Sequence, residues 1–238
     1  MFTTEVREQL AKDYRGQRIT AHVYDTRTGC SYSLNPGNRQ NPASVFKVMV
    51  MAGTLLEAQN QGRPVTDWEM SQLIPMVTES TNPEVRNLWS HFGGSPWFQI
   101  QANTFGLSQT NVVGDAPESI WGNTQTSARD QVNLLRQVLL GHSGPLQAEY
   151  RSVALDLMTS VVPSQTWGVT AGVPAGWRVA QKNGFAGVTT NSVGWVDEPG
   201  PSQGYVVAIL TRGWSNWQAG IPAVERVSRI VAEAMTAP

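Results

Sequence analysis

The chain alternates between two hydrophobic periods. Residues 3–15 carry apolar positions at helical spacing, as an amphipathic first helix would. Ile19, Ala21 and Val23 then alternate, Thr28-Gly29 turns, and Tyr32 and Leu34 alternate back, which predicts a hairpin. From Ala43 the period becomes helical for over a hundred residues. Helices are predicted at 44–60, 67–78, 83–91, 96–105, 127–140 and 145–160, separated by Gly, Pro and Asn clusters. Thr126-Ser127 would cap the fifth of these, whose stripe is Leu134, Leu135, Val138 and Leu139. Strand patterns resume in "WRVAQKNGF", "NSVGWVDEPG" and "GYVVAILTRG", an antiparallel meander, and "IPAVERVSRIVAEAM" predicts a closing amphipathic helix.

Strands at both ends with helices between predict an α/β (α+β) fold. An antiparallel sheet is flanked by N- and C-terminal helices, beside an all-α insertion. The expected division is 1–43 with 163–238 as the sheet domain and 44–162 as the all-α domain, with a site in the cleft between them. One position breaks the pattern. The run Val45, Phe46, Val48, Met49, Val50, Met51 is apolar on every face, and Lys47 sits inside it. An ammonium in such a place must be paired or neutralised.

Composition narrows the classes. The chain has 238 residues, enough for a sizeable core, with 40% hydrophobic and 15% charged residues, an ordinary globular balance. A formal net charge of −1 gives no electrostatic case for nucleic acid or an anionic membrane. No window has the apolar length of a membrane span. The charged start "MFTTEVREQL" is unlike a signal peptide, so the expected location is cytoplasmic, or exported if a leader was removed. Cys30 is the single cysteine, so there is no internal disulfide, and its expected role is packing. His22, His91 and His142 lack metal-ligand spacing, and neither a metal nor a cofactor is expected. Five of the nine tryptophans fall between Trp167 and Trp217; they suggest a packed core first and an aromatic wall to the cleft second.

Lysine is scarce, with Lys12, Lys47 and Lys182 alone among 17 basic residues. Lys47 follows Ser44 in an S-x-x-K pattern, and positions i and i+3 share a helix face. Serine needs a base to become a nucleophile, and a desolvated lysine can serve once its pKa falls. The helix dipole at Ser44 would add to this. Ser80-Thr81-Asn82 lies in a loop between two predicted helices. Lys182-Asn183-Gly184 lies on a predicted strand, where Gly184 permits close approach to the backbone.

The ordered set S-x-x-K, S-x-N and K-N-G resembles the signature of the penicillin-recognising serine hydrolases. Within them, the chain is most similar to the class A β-lactamase-related hydrolases of actinobacteria. Ser80, rather than a tyrosine, opens the second motif, and Asn82 closes it; both separate the chain from the class C and class D branches.

The resemblance implies a β-lactam or a peptidoglycan-like peptide as substrate, and a monomer. It implies that Ser44 is acylated, Lys47 takes its proton, Ser80 relays a proton to the leaving nitrogen, and Asn82 holds Lys47 and the substrate amide. Lys182 would lend positive charge, and the two lysines would depress each other's pKa. The backbone N–H groups of Ser44 and Phe185 would form the oxyanion hole. Asn183 replaces a hydroxyl residue that contacts the substrate carboxylate, and Gly184 flanks it. The assisting arginine is missing from "TTNSVGW", leaving Arg212 as a substitute or as an ordinary strand-end charge.

The chain departs from the class A pattern where that pattern supplies a deacylating glutamate. "NVVGDAPESIWGNTQTSARD" lacks E-x-x-L-N; Glu118 is its only glutamate and the candidate base, with an exposed loop carboxylate as the alternative for it and for Asp115. Acylation with slow deacylation is therefore expected. The alternatives are a penicillin-binding D-Ala-D-Ala peptidase or other acyl-transfer enzyme, and a non-catalytic binding protein of the same fold.

Overall fold

In a computed structural model of the protein, the described residues are 1–114, 123–200 and 203–237. A first helix, α1 (Thr4–Asp13), leads into β1 (Arg18–Asp25) and β2 (Ser31–Leu34). The helical stretch follows as α2 (Phe46–Asn60), α3 (Asp67–Thr78), α4 (Pro83–Phe92), α5 (Ser95–Thr104), α6 (Ala128–Leu140) and α7 (Ala148–Thr159). The chain then returns to β3 (Arg178–Ala186), β4 (Thr189–Glu198) and β5 (Gln203–Arg212), and closes with α8 (Ile221–Thr236). All strands join one antiparallel sheet in the order β2-β1-β5-β4-β3, which places β3 at an edge.

Both faces of the sheet are covered, which explains why β5 reads as the continuous run "YVVAIL" rather than as an alternating strand. Tyr205, Val207 and Ile209 pack with Leu10 of α1 and with Val224, Val227 and Val231 of α8. Val206, Ala208 and Leu210 point the other way, into the core that holds Val48, Met51 and Leu55 of α2 and Leu134 and Val138 of α6. Ser127 caps α6 by accepting a hydrogen bond from the Asp130 backbone N–H.

Two expectations change. The helix predicted from residue 44 begins as a 3-10 turn, Ala43–Val45, and becomes α-helical only at Phe46. Pro42 precedes the turn and Ala43 has φ of 46°, a left-handed conformation incompatible with a regular first turn. Cys30 is exposed rather than packed, in the turn that joins β1 to β2. Among the described residues no helix is long and apolar enough to cross a membrane.

Candidate active site

Ser44 sits in the 3-10 turn, and the turn is tied to the sheet from below. Asn191 of β4 is fully buried and donates through Nδ2 to the carbonyls of Asn41, at 2.9 Å, and Pro42, at 3.0 Å. Its Oδ1 accepts from the Thr211 backbone N–H at 2.9 Å. A single side chain thus fixes the segment leading to Ser44 onto β4 and β5. Asn41 Oδ1 also accepts from the Ala43 N–H at 2.7 Å, which helps hold the left-handed turn.

Gly184 closes the other side. A Cβ at this position would lie 2.6 Å from the Val45 nitrogen, 2.7 Å from the Pro42 oxygen and 3.0 Å from the Ser44 nitrogen. β3 therefore packs backbone to backbone against the turn that carries Ser44, a contact only glycine permits.

Lys47 is fully buried, and its position in the apolar run is explained by its polar tip. Nζ lies 3.0 Å from Ser44 Oγ, 2.6 Å from the Ser80 carbonyl oxygen, 2.8 Å from Asn82 Oδ1 and 3.3 Å from Ser80 Oγ. The left-handed backbone at Ser80, φ 67°, turns both its carbonyl and its hydroxyl toward this amine. Lys182 approaches from β3, donating to Ser80 Oγ at 2.7 Å and to its neighbour's carbonyl, Asn183 O, at 3.2 Å. Ser80 Oγ is thus shared by two buried lysines.

Burial pulls the Lys47 amine down to about 7, opposed by the Glu84 carboxylate, which favours the charged form. Burial also holds Lys182 well below the ordinary lysine range, with the charge of Lys47 adding to the effect. Desolvation therefore leads for both amines, and the repulsion expected from sequence comes second, at Lys182. Near neutrality a substantial share of Lys47 is uncharged, with two N–H donors and one lone pair. The Ser80 carbonyl and Asn82 Oδ1 can only accept, so they take both donors. An uncharged Lys47 can in turn accept a hydrogen bond from the Ser44 hydroxyl, 3.0 Å away.

Glu84 was not singled out from sequence. It lies in the first turn of α4, two residues after Asn82, and its Oε2 is buried without a hydrogen-bond partner among the described residues. Asn191 and Ser192 were also missed, since polar residues in a strand read as solvent-facing positions.

Asn183 is buried, and its amide is fully engaged within the fold. Nδ2 donates to Gln165 O at 2.7 Å and Trp167 O at 3.1 Å, while Oδ1 accepts from Ser192 Oγ at 2.6 Å. Arg212 is exposed at the end of β5, separated from β3 by β4 and in register with Thr189 and, through it, with Ala186. Glu118 and Asp115 lie outside the described residues. Among the described residues, no three His, Cys, Asp or Glu side chains come together as metal ligands.

The model of the β-lactamase enzyme family matches residues 66–235. The chain belongs to that family. The matched span includes Ser80, Asn82 and Lys182, while Ser44 and Lys47 precede it. A curated relative, β-lactamase AER-1 of Aeromonas hydrophila, is 27% identical over 91% of this chain and 80% of its own length. Among solved structures, a β-lactamase from Burkholderia ambifaria superposes with a TM-score of 0.84 at 22% identity, covering 98% of this chain and 99% of that one. A variant of PBP-A, solved as an acyl-enzyme complex with penicillin G, superposes with a TM-score of 0.83 at 21% identity, covering 98% and 96%. At such identities the structural likeness establishes the fold. Family and fold together make this family member a β-lactamase-like hydrolase.

Proposed function

We propose that the protein is a serine hydrolase of the class A type that forms an acyl-enzyme at Ser44, with β-lactam or peptidoglycan-like amides as substrates. The observation that carries this reading is the position of Lys47 Nζ, 3.0 Å from Ser44 Oγ and held by the Ser80 carbonyl oxygen at 2.6 Å and Asn82 Oδ1 at 2.8 Å. As Ser44 Oγ bonds to the substrate carbonyl carbon, its proton passes to Lys47 Nζ. The negative charge on the carbonyl oxygen is met by the backbone N–H groups of Ser44 and Phe185, which stabilise it only as it develops. When the C–N bond breaks, Ser80 Oγ gives a proton to the departing nitrogen and is reprotonated by Lys47, 3.3 Å away. Lys182 stabilises the Ser80 oxygen during this relay, and Asn82 holds Lys47 in place. The site lies between the sheet-bearing segments, 1–43 and 163–238, and the helical segment 44–162, and the protein works as a monomer.

Deacylation is slow on this reading, because "NVVGDAPESIWGN" lacks the E-x-x-L-N spacing of a class A deacylating base and offers only Glu118. A penicillin-binding peptidase is the second reading. The acyl-enzyme recorded for the PBP-A variant of the same fold favours it. Intact-mass measurement after mixing with a penicillin separates the two. An adduct that decays while hydrolysed penicillin accumulates indicates a β-lactamase, and an adduct that persists for hours indicates a penicillin binder. No adduct at all would refute both.

A further inference from the structure

Trp167, Phe185 and Trp217 come from three separate segments and meet next to the strand that carries Lys182 and Gly184. The Phe185 ring stacks on Trp217 with centroids 4.2 Å apart and planes at 26°, and it lies 6.1 Å from Trp167. All three residues are half-buried, in contrast with Trp195 and Trp214, which are buried. Grouped and fixed in place, their remaining exposed faces form a shared apolar surface.

Each ring is held by buried polar bonds or by strand pairing. Phe185 is on edge strand β3, in register with Thr190 of β4, and Thr190 Oγ1 donates to the Trp217 carbonyl at 2.6 Å. Trp167 is anchored through Asn183 Nδ2. Ser192 Oγ donates to Asn183 Oδ1 and accepts from the Val169 N–H at 3.0 Å, tying both ends of the 165–169 segment to β3 and β4. Gly168, at φ 83°, lets this segment close: a Cβ there would fall 2.3 Å from Ser192 Oγ.

The same bonds occupy the Asn183 amide, one of the polar groups expected to meet a substrate carboxylate. Asn183 has no amide donor left for a ligand. The Lys182 amine donates to Ser80 Oγ and Asn183 O, and Arg212 is on the far side of β4.

We propose that Trp167, Phe185 and Trp217 form an aromatic recognition wall beside the oxyanion position, that Asn183 is the positioning residue that holds it, and that the preferred substrate presents an aromatic group to this wall. This rests on Ser44 as the nucleophile, since the wall gains its meaning from adjacency to that site.

The test uses the Ser44→Ala protein, so that binding is measured without acylation. Calorimetric titration compares a penicillin with a small acyl side chain as its free acid and as its benzyl ester. Ring contacts of this kind should make the ester bind about two- to tenfold more tightly. Adding Phe185→Ala or Trp217→Ala should bring the ratio to about one. Asn183→Ala should weaken the ester while leaving the acid unchanged; if that variant does not fold, Trp217→Ala carries the test. Tighter binding of the acid, a ratio unmoved by Phe185→Ala, loss of the acid alone in Asn183→Ala, or no binding of either ligand at millimolar concentration would overturn the proposal. Failure of the nucleophile reads out separately, as absence of an adduct on the wild-type protein.

Discussion

Gly184→Ala is a one-carbon perturbation whose consequence can be worked from the packing. The added methyl would lie 2.6 Å from the Val45 nitrogen, and ordinary contact begins at 3.4 Å, so β3 and the Ser44 turn must separate by about 0.8 Å. The three nearest atoms are all backbone, so no side chain can rotate away. Asn191 ties the turn to β4, and β4 is paired with β3 along its whole length, so the shift cannot be taken up by the turn alone. Overpacking of this kind costs roughly 1–3 kcal/mol in stability. The larger effect should be kinetic. The proposed oxyanion donor on β3, the Phe185 N–H, moves away from Ser44, and a displacement near 1 Å typically costs about 10²-fold in rate. The assay is the second-order rate constant for acylation by a penicillin, followed by intact mass, beside a thermal melt. An acylation rate within about threefold of wild type, in a folded variant, would refute the close-approach argument.

Other predictions follow from the same site and its supports. Lys47→Ala should slow acylation by about 10²–10⁴-fold, as removal of a general base does, with the fold retained by circular dichroism. In the wild type, acylation should rise with pH through a midpoint near 7, because the neutral amine is the active form; a flat profile from pH 5 to 9 would exclude Lys47 as the base. Asn191→Ala leaves the Thr211 N–H and the Asn41 and Pro42 carbonyls without that side chain and should cost roughly 1–3 kcal/mol in a denaturant titration. His22, buried in β1 beside Ser33, is held down to about 4, mainly by desolvation and further by Arg129 and Arg136. Its unfolded pKa is near 6.5, so the unfolded chain binds a proton that the folded one refuses. Stability is intact above pH 6.5 and is lost as pH falls toward 4, by up to about 3 kcal/mol for a shift of this size. A melting temperature unchanged across that window would contradict it, and His22→Asn should flatten the loss.

Much of this site could be read from sequence because its chemistry conflicts with its surroundings. Lys47 stood out as a charge within an apolar helix, and Lys182 as one of very few lysines, on a strand; both prove buried and converge on Ser80. The helices and strands followed from period alone, since each has one or two covered faces. The supports were not legible. Asn191 reaches across 150 residues to Asn41, and Ser192 joins two segments through Asn183. In a strand pattern such polar side chains resemble solvent-facing positions, and only the tertiary arrangement shows what they hold. Asn183 was read as a substrate donor for the same reason: its type was visible and its partners were not. The 3-10 start at Ala43 was missed because the left-handed φ is imposed by the Asn41 and Asn191 contacts, not by alanine's own preference.

The most direct test of the account is peptide mapping of the protein after brief exposure to a penicillin, alongside Ser44→Ala. The account predicts a single added acyl group located on the peptide that contains Ser44, formed in the wild type and absent from Ser44→Ala. An adduct on another residue, or one that forms equally in Ser44→Ala, would contradict it.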